Sequence, residues 1–212
     1  MYIINDTYFQ APKREIPNLD EADSRAFAEL ELLIDEKCRL LLLDFLTVDQ
    51  AQELDSYLGE DGLFPEDTTG IPQKWIDLVK GVEYTKNDVN LIWNGLIYSK
   101  GTYKGSLLAD YVYYYWLETQ ASYMTGVGDA KGQPKGAILV NPTQRLVSTW
   151  NDFAKQYQGK PANYRSDRHI FNYFCEYKEN SEVSLIQFLQ DKSEDYPREN
   201  PSLFVFKNQL GL

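Results

Sequence analysis

The fold is decided by residues 106–124, which read SLLADYVYYYWLETQASYM. From Leu107 to Met124 apolar and aromatic side chains fall on nearly every face of a helix, whereas a surface helix of a soluble protein carries one apolar stripe. Ser106 directly precedes this run and is a good N-cap residue. The sequence therefore predicts a helix from Leu107 to about Met124 that is the central and most buried element.

Two amphipathic helices flank the central helix along the chain. Before it, apolar residues recur at steps of three and four between Phe27 and Phe45. After it, Asn141 as N-cap and Pro142 as first residue begin a helix that carries one apolar face and ends near Tyr157. Together with the central helix, these two helices favour a mainly α protein built as a helical bundle.

Two shorter helices are predicted between the first and the central helix. The sequence Thr47-Val-Asp-Gln50 has the form of a capping box, in which the Thr47 side chain caps the helix and Gln50 reaches back to the Thr47 amide. This helix should end near Leu58. Pro72 stands where a first helical residue would, and Gly81 would end that helix.

The region between these helices and the central one has a mixed pattern. Two short β-prone runs, residues 91–93 and 96–98, are separated by Asn94-Gly95, a dipeptide typical of hairpin turns. A small hairpin or irregular excursion is therefore predicted there. Near the end of the chain, residues 181–191 carry enough apolar side chains to predict a last short helix.

The two ends of the chain carry prolines and lack a helical pattern. Residues 1–19 are predicted to form an extended N-terminal arm, and residues 20–196 the helical domain. Residues 197–212 combine two prolines with an end that is more apolar than a free tail would be. We expect this C-terminal tail to dock on a neighbouring protein, although folding back over its own subunit explains the pattern equally well.

The composition of the 212 residues limits the classes of function. Hydrophobic residues make up 43% of the chain, which excludes global disorder. A formal net charge of -11 repels phosphate backbones, so sequence-specific nucleic-acid binding is not expected. Cys38 and Cys175 lack neighbours at metal-ligand spacing, which argues against a disulfide framework or a zinc site. The first residues do not resemble a secretory signal, and polar residues interrupt the 107–124 run too often for a membrane span.

Few residues could support catalysis. His169 is the single histidine, and a dyad with Cys175 is less consistent with the sequence than a cysteine packed in a core. Glu118, inside the apolar helix, is the best candidate for an unusual carboxylate. We expect no catalytic residue, no cofactor and no metal, and we keep as the alternative a hydrolase that uses two carboxylates on carbohydrate or cell wall.

Aromatic residues are the candidates for contacts between subunits. Consecutive aromatic positions on a helix point in all directions, so they cannot make one flat stacking surface, whereas tyrosine and tryptophan are enriched where proteins meet. The apolar end of the tail adds further candidates. The predicted interface residues are Tyr111, Tyr114, Trp116, Phe204, Phe206, Leu210 and Leu212.

The order of the helices and several short motifs suggest a family. The motifs are an Asp-Phe-Leu step at the end of the first helix, Trp75 with Leu78 and Gly81, Asn94-Gly-Leu96, the aromatic run from Ser106, Asn141-Pro-Thr-Gln-Arg-Leu-Val147 and Trp150-Asn-Asp-Phe153. From about Asp20 to Tyr157 the chain resembles the small helical head-tail connector, or head-completion, proteins of tailed phages, especially those of crAss-like and related gut phages.

The resemblance implies a structural role in the virion. Such proteins form a homo-oligomeric ring, typically twelve-fold, beneath the portal protein, and their termini or loops contact the portal and other neck or tail proteins. DNA passes through the ring without sequence-specific binding, and no membrane is involved. The resemblance also implies a subunit that has no active site or cofactor and that is assembled in the host cytoplasm.

Overall fold

The computed structural model describes residues 2–10, 13–17, 19, 25–100, 103–121, 123–125, 128–130, 143–159, 181–197 and 201–207. This part of the chain contains six α-helices, seven short β-strands and one 3-10 helix, Asp6–Phe9. The α-helices are α1 (Arg25–Phe45), α2 (Val48–Asp55), α3 (Gln73–Lys80), α4 (Leu107–Ala121), α5 (Thr143–Gln158) and α6 (Leu185–Asp191). The strands are β1 (Val82–Lys86), β2 (Val89–Trp93), β3 (Ile97–Lys100), β4 (Tyr103–Ser106), β5 (Tyr123–Thr125), β6 (Gly128–Ala130) and β7 (Ser181–Glu182).

The strands form three small sheets, so the fold is mixed α/β. β2 lies in the middle of the first sheet, antiparallel to β1 and parallel to β7. β3 and β4 form one antiparallel pair, and β5 and β6 form another. The prediction of a helical bundle with a small excursion is therefore confirmed only in part. Helices predominate, but the β-branched and aromatic residues of the 82–106 region pair as strands.

The hairpin turn was predicted at the wrong dipeptide. Asn87 and Asp88 join β1 to β2, and both have left-handed backbone angles, with φ of 51° and 61°. A two-residue turn with positive φ at both positions matches the twist of the paired strands. Gly95 instead lies where two backbone segments meet, since a Cβ at this position would be 2.5 Å from the Val79 carbonyl oxygen. Glycine at residue 95 thus permits a close approach rather than a hairpin.

α1, α4 and α5 pack together and form most of the core. α1 buries the stripe that its periodicity predicted, and its buried residues are Leu30, Ile34, Cys38, Leu41, Leu42 and Phe45. α4 is buried along its first three turns, so its predicted central position is confirmed. The helix ends at Ala121 rather than near Met124, and Tyr123–Thr125 belongs to β5. No helix in the described ranges is long and apolar enough to cross a membrane.

The N-terminal residues pack into the body of the protein. Ile3, Ile4 and Phe9 are fully buried. The guanidinium of Arg14 donates to Asp110 Oδ1 at 2.7 Å and to the Tyr8 carbonyl at 3.2 Å, and both charged side chains are buried. The segment predicted as an extended arm is therefore bound to the body of the protein. Its apolar side chains are buried in the core, and the buried Arg14 guanidinium has its carboxylate partner on α4.

The ends of the shorter helices follow local capping rules. The predicted capping box of α2 is present: Gln50 N donates to Thr47 Oγ1 at 3.3 Å, and Thr47 N donates to Gln50 Oε1 at 3.1 Å. Pro72 is the N-cap of α3 rather than its first residue. Residues 181–191 do not form one helix, because β7 comes first and Ser184 then caps α6. The predicted start of α5 at Asn141 lies outside the described residues.

Candidate functional site

A groove along α5 holds the residues 201–207, here called the C-terminal segment. The groove is lined by side chains from α4 and α5, and the ring of Phe204 lies among them. The centroid of the Phe204 ring is between 4.9 and 6.1 Å from four other ring centroids. The four rings belong to Tyr111, Trp150, Phe153 and Tyr157. Aromatic contacts at these distances add stabilisation beyond the area they bury.

Two side-chain amides on α5 bind the main chain of the segment. Gln158 accepts from the Phe204 N–H at 2.8 Å and donates to the Phe204 carbonyl at 2.6 Å. Asn151 accepts from the Lys207 N–H and donates to the Lys207 carbonyl, both at 2.9 Å. An amide side chain offers one acceptor and two donors, so it can satisfy both polar groups of one residue, as a neighbouring β-strand would. Gln158 itself is only 2% exposed.

The spacing of the two amides matches the spacing of the residues they bind. Asn151 and Gln158 are seven residues apart and lie on nearly the same face of α5, separated by about 10.5 Å along the axis. Phe204 and Lys207 are three residues apart, which is about 9 to 10 Å in an extended chain. The C-terminal segment therefore runs antiparallel to α5 in register with its heptad spacing.

Further contacts hold the segment between the two amides and at its far end. Trp150 Nε1 donates to the Val205 carbonyl at 2.7 Å. The Lys207 ammonium lies 4.6 Å from the centroid of the Tyr114 ring and 5.2 Å from that of Trp150, and it donates to the Tyr114 hydroxyl. Tyr114 in turn donates to Glu118 Oε1 at 3.1 Å. Burial, followed by the Glu118 charge, raises the pKa of Tyr114 to about 12.

A buried charge pair connects the two helices that line the groove. Asp110 on α4 accepts from Arg14 at one carboxylate oxygen and from Gln156 Nε2 at the other, at 2.7 Å each. Gln156 belongs to α5, so the same carboxylate links both helices of the groove to the N-terminal residues. With these partners the buried Asp110 charge is hydrogen-bonded rather than available for chemistry.

The structure brings some of the predicted interface residues into this groove. Tyr111, Tyr114 and Phe204 meet there within one chain. Trp116 lies elsewhere on α4 and stacks on Tyr113, with ring centroids 5.8 Å apart. Phe206 is half-buried. Leu210 and Leu212 lie outside the described residues.

Of the residues considered for catalysis or metal binding, the structure describes Glu118 and Cys38. Glu118 is exposed and accepts a hydrogen bond from the Tyr114 hydroxyl at 3.1 Å. Cys38 is fully buried, and burial raises the pKa of its thiol. His169 and Cys175 lie outside the described residues. Within the described ranges, no group of three or more His, Cys, Asp or Glu side chains is arranged to hold a metal ion.

Comparison with known proteins gives no relative for this chain. No protein-family model, curated protein or solved structure matches it. The groove is thus defined by its own geometry.

Sequence reasoning missed the two amides that bind the C-terminal segment. A signal was present, because Gln144, Asn151 and Gln158 follow one another at heptad spacing along α5, beside the aromatic face of the same helix. Side-chain amides repeated every seven residues on one face form a row parallel to the helix axis. Such a row can bind an extended chain.

Proposed function

We propose that this chain is a non-catalytic assembly subunit that forms a ring in the head-tail connector, or neck, of a tailed phage. The observation that carries the assembly role is the α5 groove, in which Asn151 and Gln158 bind an extended segment through its main chain. Main-chain recognition of an extended peptide is a general way for one protein element to attach to another. The more specific assignment to the phage neck rests in addition on the resemblance of residues 20–157 to connector proteins.

The partners and location follow from this proposal. A ring of identical subunits, twelve in the typical member of the family, would join the portal protein to other neck or tail proteins in the virion, after assembly in the host cytoplasm. The formal net charge of -11 suits a channel through which DNA moves, because like charges prevent the duplex from adhering. Sequence-specific contacts to DNA and a membrane anchor have no part in this role.

The alternative is a hydrolase that uses two carboxylates on carbohydrate or cell wall, and the shifted carboxyl groups do not favour it. A general acid in such an enzyme needs a raised pKa. Hydrogen bonds, first from Lys74, lower the pKa of Glu53, and hydrogen bonds from Thr69 lower the pKa of Asp67. A lowered pKa is the opposite of what a general acid needs.

The assembly role is tested by the location and the mass of the protein. Particles produced by the genome that encodes this chain are labelled with an antibody against the chain and viewed by electron microscopy. We expect label at the junction of head and tail, and native mass spectrometry of the detergent-free neck should give a ring of many 24.6 kDa subunits. Absence of the chain from the particles, or release of sugar from purified cell wall by the pure protein, would overturn the proposal.

A further inference from the structure

We propose that the α5 groove is a receptor for an extended segment, and that its ligand in the assembly is the C-terminal segment of a second copy of this chain. Each copy would give residues 201–207 to a neighbour and receive the same residues from another. The purpose of this exchange rests on the proposed assembly role, whereas the binding itself rests on the geometry of the groove.

The groove recognises an extended ligand through the main chain of the ligand and through two of its side chains. The amides of Asn151 and Gln158 and the indole N–H of Trp150 supply five hydrogen bonds to main-chain groups of residues 204, 205 and 207. A ligand must also place an aromatic ring among the four rings of the groove. Three residues later it must place a cation on the Tyr114 ring, as Lys207 does. The recognised pattern is thus an aromatic residue, two spacer residues and a cation.

The same contacts can be made within one chain or between two chains. Only three residues, 198–200, connect Pro197 at the end of the body to Pro201 at the start of the segment. A short connection restricts how the segment reaches its own groove, and short connecting loops favour exchange of an identical element between copies. The exchanged form keeps every contact of the groove. The equilibrium between binding within one chain and binding between two chains therefore depends on residues 198–200 and on the protein concentration.

The side of the segment that faces away from the groove carries exposed apolar side chains that a second subunit could cover. Leu203 is 46% exposed and Val205 is 71% exposed, whereas Phe204 between them points into the groove. Apolar side chains that are exposed close together on a surface can become buried when two proteins associate. In the exchanged form these two side chains lie between the donor and the receiving subunit.

A longer occupant would find a further binding group on the same helix. Gln144 lies seven residues before Asn151 and its side chain is exposed. The heptad step that separates Asn151 from Gln158 therefore continues toward the start of α5. An extended ligand that continues beyond the position of Lys207 has a third side-chain amide available.

Two full-length variants test the exchange by complementation. The first, Asn151→Ala with Gln158→Ala, keeps the segment and loses the amides of the groove. The second, Phe204→Asp, keeps the groove and loses the anchor of the segment. One variant is isotopically labelled, the two are mixed, and native mass spectrometry counts mixed complexes. We expect the mixture to form heterodimers at least about tenfold more abundant than the homodimers of either variant alone. The reason is that the intact segment of the first variant can bind only the intact groove of the second.

The controls separate exchange from attachment within one chain. Val205→Asp replaces Phe204→Asp in a parallel mixture and should give no preference for heterodimers, because this chain keeps both the Phe204 anchor and the groove, so its own segment can occupy the groove. A synthetic peptide of residues 201–212 should bind the Phe204→Asp chain, and the added Asn151→Ala and Gln158→Ala changes should weaken it by about tenfold or more. If Phe204→Asp unfolds the chain, as judged by circular dichroism, Lys207→Glu takes its place.

The outcomes distinguish this inference from the proposed function. Heterodimers only in the complementing mixture support the exchange. Folded variants that bind the peptide but form no heterodimer overturn it, because the groove then serves only its own chain. Peptide binding that does not depend on the two amides also overturns it. Absence of the chain from phage particles would overturn the neck role while leaving a positive complementation result intact.

Discussion

Gln158 binds both main-chain polar groups of Phe204, accepting from its N–H at 2.8 Å and donating to its carbonyl at 2.6 Å. The two residues are 46 positions apart in sequence, so this pair joins the end of the chain to the end of α5. Buried polar groups without a partner are costly, and here each satisfies the other. The aromatic ring of Phe204 can enter the groove because its main chain is satisfied there without a β-sheet.

Each amide should protect a different main-chain N–H from exchange with solvent. In Gln158→Ala we expect faster hydrogen exchange at Phe204, and in Asn151→Ala faster exchange at Lys207, because each change removes one acceptor. NMR exchange measurements on the full chain resolve the two sites. Ser148→Ala, at an exposed position of the same helix, is the control and should leave both rates unchanged. Equal acceleration at both sites in each variant would mean that the segment detaches as a unit.

The buried ion pair should behave as a coupled unit. Arg14→Met removes the buried cation from Asp110, and Asp110→Leu removes a buried carboxylate from the Arg14 guanidinium, so each should cost about 3 to 5 kcal/mol of stability. The double variant should cost much less than the sum. Denaturant unfolding of the four proteins gives the coupling energy. Additive costs would show that the pair contributes little beyond its separate hydrogen bonds.

Tyr114 should lose its proton only near pH 12. Burial keeps the phenol neutral in the folded protein, whereas an unfolded tyrosine ionises near 10. The groove therefore contributes stability that is present below pH 10 and is lost as the pH rises from 10 to about 12. NMR of ring-labelled tyrosine, assigned with Tyr114→Phe, measures the pKa. Glu118→Gln should lower it, since the nearby negative charge disfavours the phenolate, and an unchanged value would contradict this cause.

Trp116 should contribute strongly to the stability of the core. The side chain is 9% exposed and stacks on Tyr113. Trp116→Ala should cost on the order of 3 to 5 kcal/mol, because it leaves a cavity in packed surroundings. Tyr115→Ala, at the neighbouring half-buried position of α4, should cost less. A melting temperature of Trp116→Ala equal to that of the unmodified protein would place this side chain outside the core.

The helices could be predicted from the sequence because their signals are local. The apolar period of α1, the capping box of Thr47 and Gln50, and the apolar faces of α4 depend on residues within a few turns of one another. Strand pairing depends on distant partners. The Asn94-Gly95 dipeptide predicts a hairpin turn, but its glycine is required by the close approach of the α3 backbone, which a local pattern does not reveal.

The groove could be predicted only in part, for a related reason. Tyr111 and Phe204 are among the predicted interface residues because they are aromatic, and aromatic residues are enriched where proteins meet. Asn151 and Gln158 look like ordinary surface residues of a helix, and their role depends on a segment 46 and more positions away. Side-chain amides have no fixed sequence signature for main-chain binding. A search for amides at heptad spacing beside an aromatic face would have found them.

Phe204 and Val205 test whether the C-terminal segment is part of the folded body. Phe204 is half-buried against four aromatic rings, so Phe204→Ala should cost about 2 kcal/mol of stability, less than a fully buried phenylalanine because part of its surface already meets water. Val205 is 71% exposed, and Val205→Ala should change stability by no more than about 0.5 kcal/mol. Both variants keep the main-chain bonds to α5. Thermal unfolding at low protein concentration measures the difference within one chain, and repetition at high concentration reveals any contribution from exchange. Equal stabilities for the two variants at every concentration would mean that the segment binds by its main chain alone, with no anchoring role for the Phe204 ring.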